Sequence, residues 1–277
     1  MTDLGLPPAD LLVPGAVPLG VRDHGRHPRG DADSGWSGDV LLLPVARGTV
    51  GDWDAAAALL RGLGYRPVAL EPRGHGRSGT GEWTWQAVTA DVERVVEALG
   101  LDRPAVIGHG LGGAVAVLWA GAHPECPLAV SIDGYGNPTR PEQLASMAGG
   151  GDPGAAVRAF SAFLGDALRD APDTLRQALR AVETLDVVAI HRAVRCPVVA
   201  FLSSESDLAE VLPTELGLVW LAYLDWVRAA LTGLERAVPS LSVLTLPGSN
   251  DAYLTHPEQL AGLLADLLPA PASALTG

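Results

Sequence analysis

The sequence predicts an α/β fold in which helices flank a mostly parallel central sheet. Short apolar runs alternate with helical patterns along the chain, which is the order that a doubly wound parallel sheet requires. The runs are almost continuously apolar, as is typical of strands that are covered on both faces. The chain has 277 residues, enough for one large α/β domain or for a core domain with an inserted cap.

Six apolar runs are predicted to form the strands of this sheet. In chain order they span residues 40–45, 67–71, 104–108, 128–133, 197–202 and 242–246. One more strand is predicted at residues 18–23, within an N-terminal region, residues 1–35, that is otherwise rich in proline, glycine and aspartate.

Helical spacing is clearest over residues 85–99. There Val88, Val92 and Leu99 belong to one apolar stripe, and glycine followed by proline after residue 99 predicts the end of the helix. A second helix is predicted at residues 214–238, where Trp220 and Tyr223 lie at helical spacing. We expect these aromatic side chains to pack in the core, with a ligand surface as the alternative.

Residues 134–195 interrupt the alternation of strands and helices. This segment begins with GYGNPTRPEQ, passes through the linker GGGDPG and continues with amphipathic helical patterns. We predict a helical cap inserted over the carboxyl edge of the sheet, with residues 1–133 and 196–277 forming the core. A ligand cavity is expected between the cap and the carboxyl ends of the strands.

The charge and the hydropathy pattern exclude several classes of partner. The formal net charge is -13, which argues against nucleic acid or an anionic membrane as a partner. No basic segment leads into an apolar one at the N-terminus, so no signal peptide is predicted. No apolar run approaches the roughly 18 residues of a membrane span. We therefore expect a soluble cytoplasmic protein.

The residues that usually bind metals and cofactors form no recognisable motif. The histidines show no metal-ligand spacing, and no phosphate loop or dinucleotide fingerprint occurs, so we expect no cofactor and no metal. Cys126 and Cys196 are the only cysteines. We expect them to be buried free thiols rather than a disulfide framework.

Five segments follow the pattern of a known superfamily in the same order. They are VLLLPVARGTVGDW from residue 40, LGYRPVALEPRGHGRSG from 63, LDRPAVIGHGLGGAVAVLWAGAHPE from 101, RCPVVAFLSSESD from 195 and LTLPGSNDAYLTHPEQLAGLLADLL from 244. They resemble the oxyanion loop, the Arg-Gly-His-Gly loop, the nucleophile elbow, the acid loop and the histidine loop of the α/β-hydrolase superfamily. The resemblance extends over residues 18–268 and implies the α/β-hydrolase fold with a helical cap.

The sequence departs from that superfamily at the residues that would carry hydrolysis. The elbow pattern G-x-S-x-G has its nucleophile at the position of Gly110, and glycine has no side chain. Asn250 stands where the histidine loop has its base, and Pro44-Val45 replaces the His-Gly of the oxyanion loop. Only the acid position, Asp207, matches. The resemblance therefore implies a member that lacks the nucleophile and the catalytic histidine.

The catalytic candidates are Asp207, Asn250, Gly110 and His109. A half-buried Asp207 without its histidine is a candidate general acid or base, or it hydrogen-bonds to Asn250 or caps a loop. Asp251 is a second acidic candidate. Gly110 lets a substrate atom approach the backbone, or it is a vestige of the elbow. His109 reaches the cavity, or it packs beneath the elbow as in the superfamily.

The substrate-binding candidates are Ala46, Arg47, Leu111, Asp133 and Tyr135. The backbone N–H groups of Ala46 and Leu111 are expected to point into one cavity at a helix N-terminus. Arg47 is a positive donor for an oxyanion or a carboxylate, or a solvated loop arginine. Asp133 ends a strand at a position that faces the pocket in the superfamily, and Tyr135 is a hydrogen-bond donor beside it.

Three functions stay open at this point. The first is a non-hydrolytic lyase, isomerase or cyclase that acts on a hydrophobic, polyketide-like secondary metabolite by positioning and hydrogen bonding, without a covalent intermediate. The second is a catalytically silent ligand-binding protein. The third is a hydrolase with an unusual site. The expected partner is a small hydrophobic organic molecule, and a homodimer stays open.

Overall fold

The computed structural model describes residues 9–25, 36–147, 151–249 and 255–270. The strands are β1 (Ala9–Val13), β2 (Leu19–Asp23), β3 (Asp39–Leu43), β4 (Arg66–Leu70), β5 (Ala105–His109), β6 (Ala129–Ile132), β7 (Val198–Ser203) and β8 (Leu241–Leu246). The helices are α1 (Asp54–Gly62), α2 (Trp85–Leu99), α3 (Leu111–Ala122), α4 (Pro153–Ala167), α5 (Asp173–Glu183), α6 (Val187–Ala193), α7 (Asp207–Val211), α8 (Thr214–Glu235) and α9 (Pro257–Leu267). Short 3₁₀ turns occur at Val50–Trp53 and Pro141–Leu144.

The strands form one sheet in the order β1-β2-β4-β3-β5-β6-β7-β8. Every neighbouring pair from β4 to β8 is parallel, whereas β1 pairs with β2 and β2 with β4 in antiparallel fashion. Because parallel neighbours run in the same direction, the carboxyl ends of β3, β5, β6 and β7 meet at one edge of the sheet. The predicted fold class, a mostly parallel sheet flanked by helices, is confirmed.

All of the predicted strands are present, with ends that differ from the prediction by one or two residues. The additional strand, β1, is missing from the sequence prediction. It lies at the edge of the sheet, where Leu11 and Leu12 are 37% and 58% exposed. Such an edge strand has no need for the continuous apolar run that marks a strand covered on both faces.

Alternate residues of the central strands enter two separate apolar layers. Leu41 and Val106 point to the face covered by α2, α3, α6 and α8. Val40 and Ile107 point to the opposite face, which α1 and α9 cover. The period of two along each strand therefore places apolar side chains on both faces, which explains why these runs contain almost no polar residue.

One residue at each end defines the limits of α2. The Thr84 side chain accepts a hydrogen bond from the Ala87 N–H at 3.1 Å and caps the N-terminus. Gly100 follows the last turn in the left-handed conformation, with φ 58°, which glycine adopts without steric cost. Val88 and Val92 of the predicted stripe are buried, so the predicted helix over residues 85–99 is confirmed.

Three helices, α4, α5 and α6, lie between β6 and β7 in the chain, and we call them the insertion helices. The long helix α8 lies between β7 and β8. Phe160 of α4 stacks on Trp220 of α8 with ring centroids 5.8 Å apart. Trp220 and Tyr223 are buried, which confirms the prediction that they pack in the core. The division into a core and a cap at residues 134–195 stays a prediction.

Candidate functional site

Gly110 forms the turn between the end of β5 and the start of α3. Its backbone has φ 52° and ψ -117°, and its N–H donates a hydrogen bond to the carbonyl of Ile132 at 2.8 Å. A Cβ atom at this residue would lie 2.8 Å from Cγ2 of Val45. The side chain of Val45 therefore occupies the space into which a side chain at residue 110 would project.

Two more glycines let α3 begin directly against neighbouring backbone. A Cβ atom at Gly108 would lie 2.1 Å from the carbonyl oxygen of Gly112. A Cβ atom at Gly112 would lie 2.4 Å from the carbonyl oxygen of Leu43, at the end of β3. These contacts are shorter than any side chain allows, so the glycines are needed for close packing. We call Gly108–Gly112, together with Val45, the Gly110 turn.

The loop after β3 carries the covering valine and two predicted binding residues. The Gly48 N–H donates to the Val45 carbonyl at 2.8 Å and closes a tight turn. Arg47 lies in this turn with φ 70°, a left-handed conformation that is uncommon for a residue with a side chain. Arg47 is exposed and Ala46 is half-buried, so both are available to a ligand.

A cavity of about 570 Å³ adjoins this loop. Its other walls are the loop at residues 74–76 and the segment from the end of α4 into α5. The lining residues are Ala46, Arg47, Gly74, His75, Gly76, Ala167, Leu168, Asp170, Ala171, Pro172, Leu175 and Leu179. The insertion helices thus supply the apolar side of the cavity, and the loops of the sheet edge supply most of its polar groups.

Ala46 lines this cavity and Leu111 does not belong to its described wall, while the prediction that their backbone N–H groups point into one cavity stays a prediction. The side chain of Leu111 is buried and lines a separate apolar void of about 10 Å³ beside Leu43 and Trp83. Gly110 itself does not belong to the cavity wall that the described residues form.

A buried polar cluster lies beyond the ends of β6 and β7. Asp133 accepts a hydrogen bond from the Ser203 N–H at 2.9 Å and another from the Ser203 hydroxyl at 2.5 Å. The Tyr135 hydroxyl lies close enough to the same carboxylate to influence its pKa. Arg228 of α8 donates through Nη2 to the Ser203 carbonyl at 3.1 Å. We call Asp133, Tyr135, Ser203 and Arg228 the Asp133 cluster.

The environment of Asp133 favours its protonated form. The residue is 6% exposed, and its backbone has φ 48°. Burial raises the pKa of Asp133 above its ordinary value, although hydrogen bonds from Ser203 and Tyr135 and the charge of Arg228 act in the opposite direction. A left-handed backbone and a buried acid at one residue are features that occur often at functional sites.

Ser203 is a site residue that the sequence analysis missed. Its position is visible in the sequence as the first hydroxyl after the apolar run of β7. Hydroxyl residues at strand ends are common, however, and the contact with Asp133 spans 70 residues of chain. Only the neighbouring register of β6 and β7 brings the two side chains together.

Aromatic rings fill the space around Tyr135. Its ring centroid lies 6.0 Å from that of Trp220 and 6.3 Å from that of Tyr223. Phe160 also stacks on the Trp220 ring, with the two ring planes nearly parallel. The predicted position of Tyr135 beside Asp133 is observed, but packed side chains rather than the 570 Å³ cavity surround it.

Asp207 begins the short helix α7 and is half-buried. No described residue hydrogen-bonds to its carboxylate. The preceding residue, Ser206, accepts a hydrogen bond from the indole N–H of Trp220 at 2.9 Å. Asn250 and Asp251 lie outside the described residues, so the predicted pairing of Asp207 with Asn250 stays a prediction.

His109 is the last residue of β5 and is 2% exposed. Burial lowers the pKa of His109 to about 4, so its imidazole is neutral near neutral pH. The described wall of the 570 Å³ cavity does not include it. This position fits the structural interpretation of His109, in which it packs beneath the turn.

Within the described residues, no group of three or more His, Cys, Asp or Glu side chains is arranged to hold a metal ion. In the same part of the chain, no helix is long and apolar enough to cross a membrane.

Curated relatives match only segments of the chain. A bifunctional esterase/perhydrolase of Acinetobacter calcoaceticus is 36% identical over 84 residues, which are 29% of this chain and 30% of that protein. Epoxide hydrolase B of Mycobacterium tuberculosis is 34% identical over 85 residues, which are 29% of this chain and 24% of that protein. The chain therefore spans less than a third of the length of these relatives.

Solved structures match nearly the whole chain at low identity. A probable hydrolytic enzyme from Pseudomonas aeruginosa PAO1 has a TM-score of 0.66 and 17% identity, with 95% of this chain and 94% of that chain covered. A carboxylesterase from the thaumarchaeon Nitrososphaera gargenis has a TM-score of 0.63 and 20% identity, with 92% and 97% covered. At these identities the likeness shows the fold alone.

The family model described as alpha/beta hydrolase fold matches residues 39–197, more than half of the chain. This range includes the loop after β3, the Gly110 turn and the insertion helices. Together with the sheet order and the structural likenesses, the match leads to one conclusion: the chain belongs to the α/β-hydrolase fold family.

Proposed function

We propose that this chain binds a small organic molecule and does not carry out serine-type hydrolysis. The observation that carries the proposal is the contact between Gly110 and Val45. Acyl transfer in this fold needs a nucleophile on the turn between strand and helix. Gly110 has no side chain, and a Cβ atom there would lie 2.8 Å from Val45 Cγ2.

The same contact argues against a substrate reacting above the turn. A reacting carbon must approach a nucleophile to about 3–3.5 Å, and a methyl group of Val45 fills that region. Val45 also replaces a residue of the oxyanion loop in the resemblance described above. Gly110 and Val45 together therefore support the proposal that the chain has lost both the nucleophile and the space in which a substrate would react with it.

The cavity of about 570 Å³ is the proposed binding site. Its volume lies within the range of about 300–1,000 Å³ that is usual for small-molecule sites. Leu168, Leu175 and Leu179 line one side together with Asp170, while Arg47 and His75 line the loop side. This lining favours a mostly apolar molecule with one anionic group, for which the Arg47 guanidinium supplies the donor.

The proposal is tested with octanoate as an apolar anion and octanol as its uncharged counterpart. We expect octanoate to raise the melting temperature and to bind more tightly than octanol in calorimetry, and Arg47→Ala to abolish that preference. Leu175→Trp should fill the cavity and weaken both ligands. Leu218→Trp, on the exposed face of α8, is the matched control that should leave binding unchanged.

Hydrolysis is tested separately with p-nitrophenyl acetate and p-nitrophenyl octanoate. We expect no turnover above the background of the buffer. Steady turnover by the purified chain, lost in a Gly110 or Asp133 variant, would contradict the proposal. Equal binding of octanoate to the parent chain and to Leu175→Trp would contradict the assignment of the cavity.

The Asp133 cluster favours a second candidate, a non-hydrolytic lyase, isomerase or cyclase. A buried carboxyl group with a raised pKa next to a tyrosine hydroxyl can hold and move a proton without a covalent intermediate. The substrate would be a hydrophobic metabolite admitted by movement of the aromatic rings around Tyr135. If this candidate is right, Asp133→Asn removes turnover of the natural ligand but retains its binding. Full turnover in Asp133→Asn would eliminate it.

A further inference from the structure

The two cysteines of the chain lie together at the edge of the sheet opposite the Gly110 turn. Cys126 precedes β6 and Cys196 precedes β7, so both are at the N-terminal ends of neighbouring strands. They are 2% and 1% exposed, and their thiols are free, as the sequence predicts. Both cysteines belong to the same buried apolar cluster, where their thiols interact with each other, and the Cys126 thiol donates a hydrogen bond to the Pro104 carbonyl at 3.5 Å.

The backbone around the two thiols suits a covalent link. β6 and β7 are parallel neighbours, with Ala129 opposite Val198. The Ala129 N–H donates to the carbonyl of Pro197 at 2.9 Å, beside Cys196. Neighbouring strands lie about 4.8 Å apart, and disulfides join residues whose Cα atoms are about 4.4–6.8 Å apart. Continuing this register places Cys196 level with residue 127, one residue from Cys126, so the two cysteines are near neighbours at the start of the two strands.

We propose that Cys126 and Cys196 form a reversible disulfide that ties together the two ends of the segment carrying the insertion helices. The closed loop runs from residue 126 to residue 196 and contains β6, Asp133 and the helices α4, α5 and α6. The bond lies far from the ligand cavity, so its formation is independent of the proposed function.

The different environments of the two thiols indicate which of them reacts first with a peroxide. The adjacent Cys126 thiol lowers the pKa of Cys196, while burial and the Glu125 carboxylate act against this. The same contact, together with burial, raises the pKa of Cys126. Within this proposal Cys196 is assigned as the attacking thiolate and Cys126 as the thiol that resolves the intermediate, and because both are buried we expect slow oxidation.

The reaction is balanced with hydrogen peroxide as the oxidant. The Cys196 thiolate attacks one peroxide oxygen, the O–O bond breaks, and the other oxygen leaves and takes up a proton as water. The product is a sulfenic acid at Cys196. The Cys126 sulfur then attacks the sulfenic sulfur, the S–O bond breaks, and a second water leaves. Both thiols are oxidised, and one peroxide is reduced to two waters.

The expected consequence is a more stable chain. A loop of this length restricts the unfolded state strongly, so the oxidised chain should melt about 5–10 °C above the reduced chain. Cleavage by trypsin within the insertion should leave both fragments joined until a reductant is added.

The experiment compares the reduced full chain with the same chain after treatment with hydrogen peroxide. Both are unfolded in guanidinium with N-ethylmaleimide, and the intact mass is measured. We expect the oxidised chain to lose the mass of two hydrogen atoms and to take up no maleimide, whereas the reduced chain takes up two. The Cys126→Ala, Cys196→Ala double variant is the control and should show no change in melting temperature with peroxide.

Three results would overturn the inference. They are maleimide labelling of both cysteines after oxidation, oxygen adducts on Cys196 in place of the disulfide, and disulfide-linked dimers. Because the main readout uses the parent chain, it does not depend on the folding of any variant.

Discussion

The Gly110 turn and the Asp133 cluster lie at the same edge of the sheet, after the neighbouring strands β5 and β6, and they are built in opposite ways. At the Gly110 turn, glycines let backbone pack on backbone, and Val45 covers the remaining space. At the Asp133 cluster, polar side chains are buried and hydrogen-bonded across β6 and β7.

The comparison shows that a turn can keep the backbone shape of the fold without any side chain that could react. The Gly110 turn preserves a sharp connection between strand and helix, but glycine and valine can neither attack a carbon nor hold a proton. The Asp133 cluster contains a carboxyl group whose pKa burial raises. The two proposals divide in the same way: the proposed proton transfer rests on Asp133, and the proposed ligand binding rests on the cavity beside Arg47.

The largest effect is expected from Gly112→Ala at the Gly110 turn. The new Cβ atom would lie 2.4 Å from the Leu43 carbonyl oxygen and 2.6 Å from that of Pro44. These are backbone atoms, so α3 must move away from β3. We expect the free energy of unfolding to fall by about 3–5 kcal/mol, measured by urea titration with circular dichroism.

Gly121→Ala is the matched control in the same helix. No atom lies within 4 Å of a Cβ at that residue, and alanine favours a helix over glycine by about 1 kcal/mol. The free energy of unfolding of Gly121→Ala should therefore equal or exceed that of the parent chain. An equal loss of stability in both variants would show that close backbone packing does not explain the glycines of the turn.

Asp133→Ala, in the Asp133 cluster, should give the next largest loss of stability. It leaves the buried Ser203 N–H without its acceptor, and a buried unsatisfied donor costs about 1–3 kcal/mol. We expect the free energy of unfolding to fall by about 2–3 kcal/mol. Asp133→Asn keeps an acceptor for that N–H and should cost less at every pH tested.

The pH dependence distinguishes Asp133→Asn from the parent chain. Because the pKa of Asp133 is raised in the folded state, its contribution to stability is complete below the unfolded pKa of about 3.9 and is lost as pH rises through the folded pKa. The parent chain should lose stability relative to Asp133→Asn from about pH 4 upward, by at most about 1.4 kcal/mol per pH unit. Parallel stability curves for the two chains would mean that folding does not raise the pKa of Asp133.

Gly110→Ala is expected to cost about 1–2 kcal/mol, because it combines a left-handed backbone with the contact to Val45. Val45→Ala removes the methyl group that the new side chain would meet. In a double-mutant cycle we expect a favourable coupling of about 1 kcal/mol between the two changes. Additive effects would indicate that Val45 does not block the turn, and the proposal for its function would lose its main support.

Local patterns in the sequence predicted the fold more completely than the site. The strands and α2 were predictable because their residues carry the periodicity and the caps themselves, as Thr84 and Gly100 do. The covering of Gly110 by Val45 and the bond between Asp133 and Ser203 depend on strands that are neighbours only in the folded chain. Leu111 lines a separate small void beside Leu43 and Trp83, and this contact likewise joins segments that are distant in the sequence.

The smallest effect on stability is expected at Arg47, where the covering loop meets the cavity. Its φ of 70° costs an L-residue about 1–2 kcal/mol, while glycine avoids that cost but loses more entropy on folding. Arg47→Gly should therefore raise the free energy of unfolding by about 0.5 kcal/mol and still weaken the binding of octanoate. Urea titration and calorimetry on the same samples measure both effects. A strained arginine that lowers stability is expected where its side chain binds a ligand. A lower free energy of unfolding in Arg47→Gly, with unchanged binding of octanoate, would instead assign Arg47 to the fold alone.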